Sequence, residues 1–317
     1  ILGQSARYAE PQGRPVMEPG GRPGAEAIKL KGWFGAHRFL VLRRVSQLAI
    51  LGLFLAGPWL GIWIVKGNLA SSLTLGVLPL SDPLVLLQSV AAGHLPESAA
   101  LIGGLIVLVF YLLVGGRAYC SWVCPINIVT DLAEWLRRRL HIKGSANFSD
   151  KTRYWLLGAI LVVAAITGSV AWELVNPVSM VYRGLVFGMG LAWGVIAAVF
   201  LLDLFIGRRA WCGHLCPVGA FYGLLGEGAV LRVVAVRREA CDDCMDCFAV
   251  CPEHQVIKPA LKGADRGIGP VILSGHCTNC GRCIDVCGRD VFAFSTRYSN
   301  HSRLVLPGAN QKSEVSS

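Results

Sequence analysis

Charge is what this sequence has least of. Of its 317 residues only 16% are Asp, Glu, Lys or Arg, against about a quarter in soluble globular chains. Hydrophobic residues make up 54%, and the mean hydropathy is +0.53, so the missing charge points to long apolar segments rather than to an enlarged core. Acids are the scarcer sign, 20 against 30 Lys and Arg, which leaves a net charge of +10. Basic patches interleaved with aromatics are absent, which argues against a nucleic-acid surface. The basic residues instead flank apolar runs, as they do at membrane borders. Residues 1–40 contain no apolar core of the kind a cleavable signal peptide needs. No segment alternates like a strand of a membrane barrel. Cysteine is abundant, with twelve residues, but a secreted disulfide scaffold would be short and poor in apolar runs.

Four stretches are long and apolar enough to cross a bilayer as helices: residues 45–65, 99–116, 154–175 and 185–206. Residues 1–44 are Gly-, Pro- and Arg-rich and read as a flexible basic cytoplasmic arm, with residues 29–44, which include Trp33, Phe34 and Phe39, lying on the membrane surface. Orientation follows from Lys and Arg. Arg38, Arg43 and Arg44 precede the first span, and only Lys66 follows it. Arg117, Arg137, Arg138, Arg139, Lys143, Lys151 and Arg153 separate the second span from the third. Only Arg183 separates the third from the fourth, and Arg208 and Arg209 come after. The bias agrees at every loop and predicts a multi-pass inner-membrane protein with both termini in the cytoplasm.

The chain repeats itself. Arg117-Ala118-Tyr119-Cys120-x-x-x-Cys124-Pro125 follows the second span, and Arg209-Ala210-Trp211-Cys212-x-x-x-Cys216-Pro217 follows the fourth. Asp82-Pro83 and Asn176-Pro177 echo each other more weakly on the outer side. Each half is thus a helical hairpin with its Cys pair inside, and two such halves can pack about a pseudo-two-fold axis along the membrane normal. Cys124 and Cys216 fall at helix N-termini, where the dipole favours thiolate. Three readings stay open for Cys120, Cys124, Cys212 and Cys216: a shared additional iron or iron–sulfur centre, reversible dithiols or a partner-docking site, and small packing residues.

The strongest signal lies in residues 237–294, ahead of a polar tail over 295–317. Cys241, Cys244, Cys247 and Cys251-Pro252 form one run, and Cys277, Cys280, Cys283 and Cys287 a second, with Gly288 where proline is usual. This spacing is that of a bacterial two-cluster ferredoxin. Three thiolates on a tight loop hold one cubane, and the fourth reaches across to the other. Cys241, Cys244, Cys247 and Cys287 are therefore expected to hold one [4Fe–4S] cluster, and Cys277, Cys280, Cys283 and Cys251 the other. Zinc prefers two separated Cys pairs. The expected fold is an α-helical integral membrane protein, a four-span bundle of two repeated hairpins over residues 45–236, followed by an α+β ferredoxin-like domain.

Other polar candidates are Asp82, His94, Glu97 and Glu173, with Asn176, Tyr182 and Arg183 nearby. One of these could accept a proton from a quinol headgroup; ordinary interfacial polarity is the competing reading. Asp203 stands inside the fourth apolar stretch, where a carboxylate is a functional candidate by default, although Arg208 and Arg209 are close enough to pair with it. His214 lies between Cys212 and Cys216 without a counterpart in the first repeat.

Four spans, two Cys-x-x-x-Cys-Pro motifs and a double ferredoxin run together resemble the NapH-type membrane ferredoxins of periplasmic nitrate reductase systems, over residues 43–294. The layout is also similar to the C-terminal half of NosR. The resemblance implies a quinol dehydrogenase component in nitrate reduction or denitrification. It would draw on the quinone pool in membrane lipid and pass electrons toward a periplasmic reductase, with a second iron–sulfur subunit as partner and no nucleic acid. An electron-donating assembly or maturation factor for a periplasmic metalloenzyme is the alternative, and a non-catalytic iron–sulfur redox sensor a third.

Overall fold

The computed structural model describes residues 23–142, 146, 149 and 151–298. Residues 1–22 of the expected arm, Lys143, and residues 299–317 of the expected tail lie outside the described residues.

The chain opens with α1 (Ala25–Leu60), followed by β1 (Val65–Gly67), β2 (Ser71–Thr74) and β3 (Leu78–Ser81), then α2 (Pro83–Ala91), α3 (Ser98–Val114), α4 (Ala118–Trp122) and α5 (Ile126–Arg139). The second half runs α6 (Thr152–Thr167), α7 (Pro177–Phe187) and α8 (Gly190–Leu201), the last continuing as a π-helical turn to Ile206. A further π turn over Trp211–Leu215 leads into α9 (Pro217–Glu227). The last part holds β4 (Leu231–Ala235), α10 (Asp246–Val250), α11 (Ile257–Lys262), α12 (Arg282–Val286) and β5 (Phe292–Thr296).

Among the described residues one helix, α1, is long and apolar enough to cross a membrane; Ser98–Val114, Thr152–Thr167 and Gly190–Ile206 are shorter apolar helices. The 17 residues of α3 rise about 26 Å, a little less than a hydrocarbon core of about 30 Å. Glycine explains why these helices fall short of the stretches read from the sequence. Gly61 (φ 72°) ends α1, Gly115 (φ 120°) ends α3, Gly168 (φ 61°) ends α6, and Gly188 (φ 63°) divides α7 from α8. Each positive φ satisfies the helix end at no steric cost and turns the chain.

The arm expected over residues 1–44 is helical from Ala25 onward, apart from a break at Gly32 (φ 73°, ψ 171°). Nor is its described part a free surface helix, because α1 packs on α12. The Asp285 carboxylate accepts from the Phe39 and Leu40 backbone N–H groups at 3.1 and 3.0 Å, and Lys31 pairs with Asp290. These partners lie some 246 residues along the chain, beyond the reach of any local pattern.

The internal repeat is written in the backbone. Asp82 accepts from the Leu84 N–H at 3.0 Å, and Asn176 from the Val178 N–H at 3.1 Å, each capping a helix whose first turn holds a proline. Both halves then run apolar helix, capped short helix, apolar helix, cysteine turn, helix. The three-stranded antiparallel sheet β1-β2-β3 belongs to the first half.

In the C-terminal part β4 pairs antiparallel with β5, from Leu231↔Thr296 to Ala235↔Phe292. This sheet brings residues 231–235 into the ferredoxin-like body, ahead of the expected boundary at 237. Val233, Val256, Ile257, Ile272, Ile284 and Phe292 form its core. Gly275 lets this body touch α9 backbone to backbone, and Gly116 lets the turn between α3 and α4 do the same. A Cβ at Gly275 would sit 2.1 Å from the Gly223 carbonyl oxygen, and one at Gly116 would sit 1.9 Å from that of Tyr222.

Candidate metal centres

Twelve cysteines gather into three groups of four. In each ferredoxin run the loop takes left-handed φ at matched positions: Asp243 (60°) and Met245 (63°) in the first, Asn279 (46°) and Gly281 (71°) in the second. These turns direct three thiols of a run inward. The N–H groups of Asp243 and Asp246 donate to Cys241 and Cys244, and those of Asn279 and Arg282 donate to Cys277 and Cys280.

The fourth thiols cross over. Cys241, Cys244, Cys247 and Cys287 line one cavity, and Cys251, Cys277, Cys280 and Cys283 line another. Burial, then Cys244, Cys287 and Cys241, push the Cys247 thiol up to about 12, so these sulfurs need a cation before they can all be thiolates. Among the described residues no three His, Cys, Asp or Glu side chains converge closely enough for a single metal ion. A cubane spreads its sulfur ligands farther apart than one ion does, so the crossed quartets fit the cluster and not zinc. Gly288 rests against Leu30 and Glu26 of α1.

Cys120, Cys124, Cys212 and Cys216 lie near one another. Cys212 lies within electrostatic reach of Cys216, Cys124 and Cys120, and Cys124 within reach of Cys120 and Cys216. Both motifs end in the same widened turn: the Cys124 N–H donates to the Tyr119 carbonyl at 3.0 Å, and the Cys216 N–H to that of Trp211 at 2.9 Å. The N–H groups of Ile126 and Asn127 face Cys124, and those of Val218 and Gly219 face Cys216. The helical dipole is thus spent on the second thiol of each pair.

The two metal-binding regions interlock. The Ser121 hydroxyl donates to the Thr278 carbonyl at 2.7 Å, and the Trp122 indole N–H to that of Asn279 at 3.0 Å. Residues between the thiols of one motif thereby hold residues between the thiols of another. Cys120, Cys212 and Cys280 line one cavity together. The duplicated arginines complete the joint. Arg117 donates to Glu253 at 2.6 Å and to the Cys212 carbonyl at 3.0 Å, while Arg153 reaches Glu253 and the Gly213 carbonyl at 3.3 and 2.9 Å. Arg209 meets Glu134 at 2.5 Å and also pairs with Asp131, which takes Arg44 and Arg282 as well. Burial would push the Asp131 carboxyl up, but Arg209, Arg282 and Arg44 outweigh it and hold it far below the ordinary range. Glu253 is held low in the same way, burial being outweighed by Arg117 and Arg153. The repeated arginines were legible in the motif; Glu253, directly after Cys251-Pro252, was not singled out.

The weaker candidates separate. Asp82 is half-buried and accepts from the Tyr222 hydroxyl at 3.2 Å. Burial pushes its carboxyl up to about 6 against the pull of the Leu84 N–H and Tyr222. Tyr222 stacks on Tyr119 (centroids 4.9 Å, 15°) and meets Tyr111 edge-on (5.0 Å, 70°), a cluster that sequence reading missed because the three residues lie on separate elements. His94 and Glu97 are exposed, His94 facing the Gly168 carbonyl at 3.0 Å. Glu173 is occupied by Asn176 at 3.1 Å and by the Ser179 hydroxyl. The Asp203 carboxylate accepts from the Trp211 N–H at 2.9 Å and so anchors the second cysteine turn. Tyr182 meets Phe54 edge-on at 6.5 Å.

Comparison with known proteins agrees with this division. Residues 99–143 and 187–237 match a family described as a 4Fe-4S binding domain, and residues 240–291 match a 4Fe-4S dicluster domain. The methylamine utilization ferredoxin-type protein MauN of Methylorubrum extorquens is 54% identical over 86% of this chain and 94% of its own length. The ferredoxin-type protein NapH of Escherichia coli is 50% identical over 88% of this chain and 97% of its own. MauN of Paracoccus denitrificans is 56% identical over 86% and 95%. No solved structure matches.

Proposed function

The chain belongs to the family of ferredoxin-type proteins that includes NapH and MauN, and from that premise we propose that it is a four-span membrane protein that oxidises quinol and relays the electrons to a partner. It is an iron–sulfur electron-transfer protein; the membrane arrangement, the substrate and the ligand sets are our reading. In this reading Cys241, Cys244, Cys247 and Cys287 hold one [4Fe–4S] cluster, Cys251, Cys277, Cys280 and Cys283 a second, and Cys120, Cys124, Cys212 and Cys216 a further iron–sulfur centre. Clusters at these sites supply one-electron storage. The observation that carries the reading is the interlock of Ser121 and Trp122 with Thr278 and Asn279, which ties the inner ends of the apolar helices to the loop of the second run.

Exposed apolar side chains support the four spans. Leu48 on α1, Leu105 and Phe110 on α3, Ile166 on α6 and Leu191 on α8 all face outward, Ile166 with 79% of its surface free. A soluble protein rarely leaves so continuous an apolar face uncovered. The cysteine turns and the N-terminal half of α1 both pack on the ferredoxin-like body, which favours a cytoplasmic position for that body and for the start of the described chain. A reporter fused after residue 317 is expected to be active only in the cytoplasm, and one inserted beside His94 only outside. Reversal of both would overturn the placement of every cluster.

Quinol oxidation releases two electrons and two protons, so a proton acceptor must stand at membrane depth. Asp82 is our candidate. It is ionised above about pH 6, it is oriented by Tyr222 from α9, and Glu173 is the other acid whose charge reaches it. Asp82→Asn is expected to lower quinol oxidation by about a hundredfold with unchanged iron content. The wild-type rate should fall as pH drops through about 6, where the carboxylate becomes protonated, and that limb should vanish in the variant. An unaltered pH profile in the variant would remove Asp82 from the mechanism. MauN is named for methylamine utilization, whereas the layout resembles the NapH-type proteins of nitrate reductase systems, so in our reading the electron acceptor is set by a partner rather than by the shared body. A periplasmic reductase, with a second iron–sulfur subunit between, is the acceptor we propose.

A further inference from the structure

Arg43 is fully buried, and none of its three guanidinium nitrogens has a hydrogen-bond partner. Its neighbours offer it nothing. Asp131, the nearby acid, is already taken by Arg44, Arg209 and Arg282, and Arg282 and Arg44 add further positive charge. A buried guanidinium without a counter-charge is a costly arrangement, and the helix that carries it is long enough to have pointed it at water. What Arg43 does face is a cavity lined by Cys280, Thr278, Arg282, Cys120 and Cys212, adjoining the second quartet's own cavity and sharing Cys280, Thr278 and Arg282 with it, and the Cys280 thiolate is the first attractive charge acting on Arg43.

Resting on the proposed cluster ligands, we infer that Arg43 donates hydrogen bonds to the sulfurs of the [4Fe–4S] cluster held by Cys251, Cys277, Cys280 and Cys283, and raises its reduction potential above that of the other cubane. A cubane with four thiolates is a net anion and becomes more negative with each electron it takes. A fixed cation hydrogen-bonded to its sulfurs therefore stabilises the reduced form more than the oxidised form. The first quartet has no buried cation among the described residues lining its cavity: Asp242, Asp243 and Asp246 stand there, and Lys262, which reaches Cys241, is exposed and paired with Asp243. Electrons would settle on the second cluster, the one beside Cys120 and Cys212. Arg43 acts as a positioning and tuning residue here, since it holds no iron.

The test is an anaerobic redox titration of the full-length protein in lipid, followed by EPR, with iron measured on the same samples. The signal of the second cluster is identified by its loss in Cys251→Ala. Arg43→Gln is expected to shift that signal's reduction equilibrium toward the oxidised form by about tenfold or more, about 59 mV for one electron, and to leave the first cluster's titration in place. Arg43→Lys, which keeps the charge but not the fork, should give a smaller shift of the same sign, and it covers the case in which the glutamine variant fails to accumulate. Full iron content with an unmoved second-cluster potential in both variants would overturn the inference. So would a shift confined to the first cluster or to any third signal. Absence of cubane iron from the wild type would instead sink the underlying ligand assignment.

Discussion

Cys287→Ala is expected to damage the same cluster as Cys244→Ala, although Cys287 belongs to the other sequence run. Cys251→Ala is expected to pair in the same way with Cys280→Ala. Each substitution should remove one EPR signal, or convert it to that of a three-iron cluster, and should lower the iron of the ferredoxin-like body from about eight toward about four per chain. The argument is one of reach. Cys251 and Cys287 each follow a short helix, α10 or α12, that carries the third thiol of its own run, and both sit in extended backbone just past the helix end. That geometry turns them away from their own loops, and each lines the opposite cavity. Comparing the identity of the lost signal makes the test independent of how completely a cluster falls apart. If Cys287→Ala and Cys280→Ala share a signature, each run holds its own cluster and the crossed assignment fails.

How much of this could be read beforehand depended on the range of each signal. The crossed grouping was to be expected from the spacing of a two-cluster ferredoxin, and each fourth thiol lines the cavity of the other run. The repeat was legible because Arg-Ala-aromatic-Cys recurs with only Tyr119 exchanged for Trp211, and its weaker echo, Asp82-Pro83 against Asn176-Pro177, proves to be a pair of matched helix caps. The partners of α1 were not legible. Basic, glycine-broken residues 25–44 carry little periodicity, and their helix is held by Asp285 and Asp290 from the far end of the chain. Apolar composition also overran the true helix ends, since hydropathy does not register that Gly61, Gly115, Gly168 and Gly188 turn the backbone left-handed. Tyr111, Tyr119 and Tyr222 each read as an isolated aromatic and only the packing of α3, α4 and α9 makes them a cluster.

The double substitution Cys120→Ala and Cys212→Ala is expected to remove iron in excess of the ferredoxin-like body's own. It should also slow quinol-linked reduction by at least about tenfold, a barrier increase of about 1.4 kcal/mol, while both ferredoxin EPR signals persist. Of the three readings of these cysteines, packing is the least favoured by the duplicated motif, and it has the least support in the geometry. Packing thiols need no N–H donors, yet Cys124 and Cys216 each face two. Nor does packing require both motifs to adopt the same widened turn, an arrangement that costs each a regular helical hydrogen bond. A dithiol switch would bring two sulfurs of one motif together; here the reach of Cys212 extends to Cys124 and Cys120 of the other repeat as well as to Cys216. The single-ion version of a metal site is also disfavoured, because no three such ligands converge on one ion among the described residues. A cluster bridging the two repeats is the reading we propose, and the matched turns are what would aim four thiols at it. The surrounding charge suits it too, for Arg117 and Arg209 stand one helical turn before Cys120 and Cys212 and enter the joint with the ferredoxin-like body. Substituting one cysteine from each motif strikes the shared centre from both sides while leaving Ser121, Trp122 and the interlock intact. An unchanged iron content with normal turnover in that variant would return the four residues to packing. Loss of a ferredoxin signal along with the extra iron would mean that the interlock itself had been broken, and Cys124→Ala with Cys216→Ala would then separate the two effects.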